Sequence, residues 1–257
     1  MIKKILFLLI FCLVSFSVAC GDKEENYPTP DVPTVEEPTP DEPVEPTIPN
    51  ENDYSVKVVY PDGTAVKGGV KVKWCTIENC STNIEVNENG VATISTLQPG
   101  EYVVHIDRIP DGYTYNPNNN IATEDNKNIE ISLISLKTIS EGEGTMENPY
   151  KLSDGAYNLT YESATVSGIK YFAFIANETR EYELLSLAEE IQSIHNIDPY
   201  LGFWGDSFEN DRNIDGNLEK LNNFSLKFQA EAGKTYYFGV FVSSANRFPA
   251  TFAINIK

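Results

Sequence analysis

The chain has 257 residues, 41% of them apolar, which is enough for two small domains with their own cores and a tail besides. Its 38 acidic residues against 19 basic ones give a formal net charge of -19. That balance excludes a nucleic-acid partner, because a phosphate backbone requires a face of lysine and arginine and none clusters here.

At the N-terminus Lys3 and Lys4 precede the apolar run Ile5 to Val14, and Ser17-Val18-Ala19 supplies the small residues that a signal peptidase needs. This is the pattern of a secretory signal, too short to span a bilayer comfortably. Because Cys20 follows directly, the stretch Ser17-Val18-Ala19-Cys20-Gly21 resembles a bacterial lipobox. The resemblance implies a signal peptide over residues 1–19, lipidation of Cys20, and a protein anchored to a bacterial membrane by lipid and facing the extracellular side. Of the four cysteines, Cys12 lies in the apolar part of the signal and Cys20 would carry the lipid that the resemblance implies, which leaves Cys75 and Cys80 to form one small disulfide in an oxidising compartment. No histidine or further cysteine stands nearby to complete a metal site with that pair.

Residues 20–52 rotate proline, acidic residues and threonine, as in Glu37-Pro38-Thr39-Pro40-Asp41-Glu42-Pro43. Such a segment has too little apolar surface to offset its ordering entropy and is expected to be a disordered, extended stalk. Fully extended, it reaches on the order of 90 Å at roughly 3 Å per residue.

From Tyr54 the period becomes two. Val56, Val58 and Tyr60 lead to the turn Pro61-Asp62-Gly63; Val70, Val72 and Trp74 follow, then Ile84 and Val86, the hairpin signal Asn89-Gly90, and Tyr102, Val104 and Ile106. Short strands at regular spacing without a convincing helix predict a β-sandwich over residues 53–137. The runs Asn89-Gly90-Val91-Ala92-Thr93-Ile94, Leu97-Gln98-Pro99-Gly100-Glu101-Tyr102 and Pro110-Asp111-Gly112-Tyr113 resemble the prealbumin-like repeat of Cna-B and carboxypeptidase-regulatory-like domains. Members of that family act mostly as rigid segments of bacterial surface proteins, and some carry a lysine–asparagine cross-link. Lys57 sits on the first strand, but the stretch Asn128 to Leu136 has no asparagine at its end, so no cross-link is expected.

Glu141-Gly142-Glu143-Gly144-Thr145 is expected to be a flexible boundary. Beyond it, residues 140–257 predict a second sandwich. Tyr171-Phe172-Ala173-Phe174-Ile175 is apolar on both faces, and Phe224, Leu226, Phe228 and Ala230 alternate strictly with polar residues. The span Glu183 to Ile197 reads as a strand followed by a short irregular or helical insert. Tyr171-Phe172-Ala173-Phe174, Asp198-Pro199-Tyr200-Leu201, the acidic loop around Asp211 and Ala232-Gly233-Lys234-Thr235-Tyr236-Tyr237-Phe238 together resemble the bacterial pre-peptidase C-terminal domain, a sandwich appended to secreted hydrolases. The fold class is therefore all-β: two small β-sandwich domains in tandem after a disordered proline-rich, acidic stalk.

Two features can bind. Asp211, Asn213, Asp215 and Glu219 place oxygen side chains at alternating positions around Gly216, as a calcium ion requires; the other reading is an acidic loop between strands. Phe203, Trp204 and Phe208 cluster just before that loop, and exposed aromatic faces can stack on sugars or anchor a protein, although such residues also serve as core. His105 is expected on the wet face of its strand and His195 in the insert. Neither has a nucleophile elbow, a zinc-binding partner or a phosphate loop beside it, so no catalytic residue is assigned and no enzyme is expected. The expected function is adhesion or ligand capture at the bacterial surface, with a glycan or extracellular protein as ligand. The alternative is an accessory module that spaces or stabilises a secreted hydrolase or surface complex.

Overall fold

The computed structural model describes residues 53–163, 168–189, 197–210, 213–215, 223–245 and 248–257. Cys20, the signal and the stalk lie outside them, as do His195, Asp211 and Glu219. No α-helix occurs among the described residues, and no helix there is long and apolar enough to cross a membrane. The fold is all-β, as the alternation of the sequence requires.

Nine short strands come from the first half: β1 (Tyr54–Val59), β2 (Lys71–Cys75), β3 (Ile84–Glu85), β4 (Val91–Ile94), β5 (Tyr102–Arg108), β6 (Tyr113–Thr114), β7 (Ile121–Ala122), β8 (Asn128–Ser132) and β9 (Ile134–Lys137). Seven of them build two facing sheets, β4-β1-β8 and β3-β2-β5-β7, while β6 and β9 join a sheet of the second half. Val56, Val58, Val72, Trp74, Val104 and Ile106 are all buried between them. Tyr54 crosses the end of this core and donates its hydroxyl to the Gly100 carbonyl at 3.0 Å. The Cys75–Cys80 disulfide closes the loop after β2. Lys57 points to solvent and pairs with Glu130 at 3.0 Å.

The second half contributes β10 (Tyr150–Leu152), β11 (Gly155–Tyr161), β12 (Lys170–Ile175), β13 (Arg180–Leu187), β14 (Ile197–Gly205), β15 (Asn213–Asp215), β16 (Ser225–Ala230), β17 (Thr235–Ala245) and β18 (Ala250–Ile256). One sheet runs β10-β12-β17-β14-β15; the other runs β16-β13-β18-β11-β9-β6. Phe172, Phe174, Tyr182, Phe224 and Phe238 fill the space between them, and each such ring contributes roughly 2–3 kcal/mol on burial. Phe224 and Leu226 face inward as their alternation predicts. Tyr161 ties the two layers by donating its hydroxyl to the Val240 carbonyl at 2.8 Å. Within Glu183 to Ile197, Glu183 to Leu187 belongs to β13, while residues 190–196 are not described.

The two halves share a sheet. β9 pairs in parallel with β11, matching Leu136 to Ala156, and β6 pairs antiparallel with β9. Ile134 and Leu136 pack on Leu185, Leu187 and Ala253 on the outer side of that sheet. All described residues belong to one compact unit. The stretch Glu141 to Thr145, expected to be flexible, is instead tied down: Lys151 N–H bonds to Glu141 O at 3.1 Å and Tyr171 N–H to Gly144 O at 3.0 Å. Gly142 and Gly144 adopt φ of 92° and 74°, and a Cβ on either would collide with Pro149 or the Tyr150 ring. Glycine is needed there for close approach, not for mobility.

Candidate functional site

The outer face of the β10-β12-β17-β14 sheet carries more apolar surface than a two-layer fold requires. Along β12, Phe172 and Phe174 enter the core, so Tyr171, Ala173 and Ile175 face out. Along β17, Tyr236 and Phe238 face in, so Tyr237 and Gly239 face out. At the end of β14 the pairing shifts between Phe203 and Gly205, which leaves Trp204 as the extra residue of a bulge. Ordinary strand alternation turns the two neighbouring rings to opposite sides. Phe203 points inward, its ring 5.0 Å from that of Phe228. Trp204 lies on the outer face, 5.8 Å from Tyr171 and 5.4 Å from Phe208.

Gly239 makes room for this arrangement. A Cβ there would sit 2.9 Å from Ile169 Cγ2 and 3.2 Å from Trp204 Cζ3. The indole therefore lies against the sheet, and Trp204 is only 9% exposed. Phe208 covers it and leans on Tyr237 at 4.6 Å between ring centres. Of the three aromatic residues singled out in the sequence, Trp204 and Phe208 form one outer cluster and Phe203 belongs to the core.

Beside that cluster runs a groove of about 590 Å³. Its floor is Ala173, Ile175 and Tyr237; Phe208 forms one wall and Met146 the other. Ile175 is 46% exposed and Met146 40% exposed, so both are open to an incoming ligand. Glu147, Asp206 and Glu209 stand at the rim with Lys151. Lys151 is already bonded to Glu141 at 2.8 Å.

The calcium candidates are only partly placed. Asn213 and Asp215 stand on β15, and Asp211 and Glu219 lie outside the described residues. Among the described residues no group of three or more His, Cys, Asp or Glu side chains could hold a metal ion.

A second cavity, of about 370 Å³, lies where the halves meet and is lined by Asp107, Tyr115, Glu189, Leu187 and Thr251 among others. Its two carboxylates are engaged by neighbouring side chains. Asp107 accepts from Lys73 and from Asn83, each at 2.7 Å. Tyr115 donates to Glu189 at 2.5 Å. Burial pushes the Glu189 carboxyl up, against the Tyr115 hydrogen bond that pulls it down. His105 is buried, 3% exposed, which corrects the expectation of a wet face. Burial, with the Lys73 cation, lowers its pKa to about 4. Tyr115 bonds both the Ile106 N–H on β5 and Glu189 just beyond β13, so the end of β13 lies over this side of β5.

No family model matches the sequence, and no curated protein does. Among solved structures, the chain is similar to the pre-peptidase C-terminal domain of collagenase from Bacillus anthracis, at 14% identity and a TM-score of 0.32 over 42% of this chain and 92% of that one. It is also similar to BcpA, the major pilin subunit of Bacillus cereus, at 13% identity and a TM-score of 0.29 over 80% of this chain and 59% of that one. The major pilin SpaD from Corynebacterium diphtheriae matches at 9% identity and a TM-score of 0.24, over 80% of this chain and 56% of that one. The chain thus spans little more than half the length of these pilins. These are partial likenesses, and they define no function for it.

Proposed function

We propose that the chain is a lipid-anchored protein of the bacterial cell surface that captures an extracellular ligand and carries out no chemistry of its own. The N-terminal pattern ending in Cys20 supports the anchor, and the proline-rich acidic stretch supports a stalk that holds the folded unit away from the membrane. The single observation that carries binding is the groove on the outer face of β12 and β17. Its floor leaves Ile175 exposed and its wall leaves Met146 exposed, although the core is complete without them. At the junction cavity the carboxylates of Asp107 and Glu189 are held by Lys73, Asn83 and Tyr115, which favours a structural role there.

Two measurements test this reading. Growth on labelled palmitate should mark the wild-type protein and leave Cys20→Ala unlabelled; an unlabelled wild type removes the anchor, and label retained in Cys20→Ala removes Cys20 as its site. The full chain without residues 1–19 should be retained on an array of glycans and extracellular proteins, and Ile175→Asp should abolish retention without lowering the Tm. Retention by nothing on the array favours a spacer that serves another surface protein.

A further inference from the structure

We infer that the groove takes a cationic, apolar peptide segment of an extracellular protein, with its aliphatic or aromatic side chains on the Ile175 floor and its lysine or arginine side chains at the rim. This rests on the proposed binding role of the groove. Three observations select that chemistry.

The rim is acidic and uncompensated. Glu147, Asp206 and Glu209 line the groove, and among the described residues none of them forms an ion pair with lysine or arginine. Lys151 is bonded to Glu141, and Lys234, which feels Asp206, is bonded to Glu231 at 3.0 Å. A ligand bearing positive charge therefore meets three carboxylates without an ion-pair partner among the described residues, Asp206 being bonded only to the neutral Asn210 amide at 3.1 Å, whereas an anionic sugar, a phosphate or an anionic lipid surface is repelled.

The floor is apolar, and its rings are taken up by one another. The Trp204 indole is closed off beneath Phe208 and beside Tyr171, and the half-buried Tyr237 ring lies 4.6 Å from Phe208, so a neutral glycan finds no fully open aromatic face on which to stack. Ile175 and Met146 instead present aliphatic surface, which suits side chains of a peptide. At about 590 Å³ the groove has room for two or three such side chains, within the ordinary size range of ligand sites.

The groove is also preorganised. Its Met146 wall follows the segment pinned by the Glu143 N–H bond to Asn148 O at 2.9 Å, and its Phe208 wall is held by contact with Trp204, Tyr171 and Tyr237. Little ordering entropy remains to be lost when a ligand enters.

The test is fluorescence anisotropy of the full chain without residues 1–19, with a labelled hexapeptide of alternating lysine and leucine. The controls are the same peptide with glutamate for lysine, a serine-for-leucine version that keeps the charge, and cellohexaose as a neutral glycan. The lysine–leucine peptide should bind; the glutamate version should not, and the serine version should bind at least tenfold more weakly. The triple variant Glu147→Gln/Asp206→Asn/Glu209→Gln should weaken binding at least tenfold, and Ile175→Ser should do so independently with an unchanged Tm. Lysine–leucine binding that survives the triple variant overturns the inference, because the general negative charge of the protein then holds the peptide. Cellohexaose binding that Ile175→Ser abolishes, without peptide binding, overturns the cationic peptide and leaves the binding role standing. Binding of neither peptide nor any ligand on the array overturns both.

Discussion

The Tyr115 hydroxyl donates to Glu189 Oε1 at 2.5 Å and accepts the Ile106 N–H at 3.1 Å, so one buried side chain from the first half holds a carboxylate from the second. Asn223 makes a parallel link, donating to Asn118 Oδ1 at 3.0 Å while Ser186 and the Ala188 N–H bond to its carbonyl oxygen. With β9 also built into the sheet of the second sandwich, the halves are expected to unfold as one unit. A fragment starting at Ser140 would lack β6 and β9, so binding and stability measurements belong on the longer chain.

Tyr115→Phe keeps the ring and deletes the hydroxyl, stranding the Ile106 N–H and the Glu189 carboxylate. An unsatisfied buried polar group costs about 1–3 kcal/mol, and the loss expected in urea unfolding is about 3 kcal/mol. Glu189→Gln keeps an acceptor for the hydroxyl and removes a charge that burial opposes. It should be neutral or slightly stabilising at pH 7. Because the folded-state pKa of Glu189 is raised, the folded protein binds that proton more tightly than the unfolded chain does. Any advantage of Glu189→Gln over wild type should therefore shrink as the pH falls toward the ordinary carboxylate range. An advantage that grows with acidity contradicts the sign of this shift.

His105 acts in the other direction. It is neutral when buried, its Nδ1 has no hydrogen-bond partner among the described residues, and its pKa lies at about 4 in place of 6.5. The unfolded chain takes up the proton first, so stability drops as pH falls from about 6.5 and the loss is complete below about 4, where it amounts to about 3 kcal/mol. His105→Gln removes this step, and its plot of unfolding free energy against pH should be flatter than that of wild type between those limits. Equal slopes mean that His105 does not titrate in this way.

The Cys75–Cys80 bridge closes a loop of only six residues, and on the chain-entropy model it contributes about 2 kcal/mol. The same loop is held by the Ser81 N–H bond to Trp74 O at 2.8 Å and the Trp74 N–H bond to Ser81 Oγ at 3.0 Å. Cys75→Ser/Cys80→Ser should thus keep the fold and lower the Tm by about 4–8 °C, at the 2–4 °C per kcal/mol typical of a chain this size. Reductant should lower the Tm of wild type by the same amount and leave the double variant unchanged. Collapse of the fold in the double variant would give the bridge a larger role.

These elements also mark what the sequence can and cannot carry. Strict alternation from Phe224 to Ala230 identifies a one-sided strand, and the structure buries the predicted face. The excess apolar face of Tyr171 to Ile175 marks a strand with two covered sides; half of that cover is the core and half is the open groove, so the groove was partly written in Tyr171, Ala173 and Ile175. The pairing of β9 with β11 was not, because a parallel pair has no turn signal and its register depends on the distant match of Leu136 with Ala156. His105 alternates like an exposed residue, but its cover comes from another part of the chain, which local period cannot report. Gly142 and Gly144 show the same limit: glycine content alone does not separate a loose hinge from a crowded contact.

Trp204 and Gly239 offer the most direct check on the site itself. Because the indole packs against Tyr171 and Phe208 with little exposure, Trp204→Ala is expected to cost about 3 kcal/mol through the cavity it leaves. It also removes the support behind the Phe208 wall, so any binding loss in that variant mixes stability with contact. Ile175, half-open and outside the core, is the cleaner site for a binding variant. Gly239→Ala pushes a methyl toward Trp204 Cζ3 and Ile169 Cγ2, an overpacking expected to cost about 1–3 kcal/mol. If the indole is what the methyl strikes, Trp204→Ala makes room for it, and the double variant should be more stable than the sum of the single losses predicts by about 1 kcal/mol. Strict additivity would mean that Ile169 alone resists the methyl. In that case Gly239 is not what lets Trp204 lie flat, and the position of the Phe208 wall depends on the β14 bulge instead.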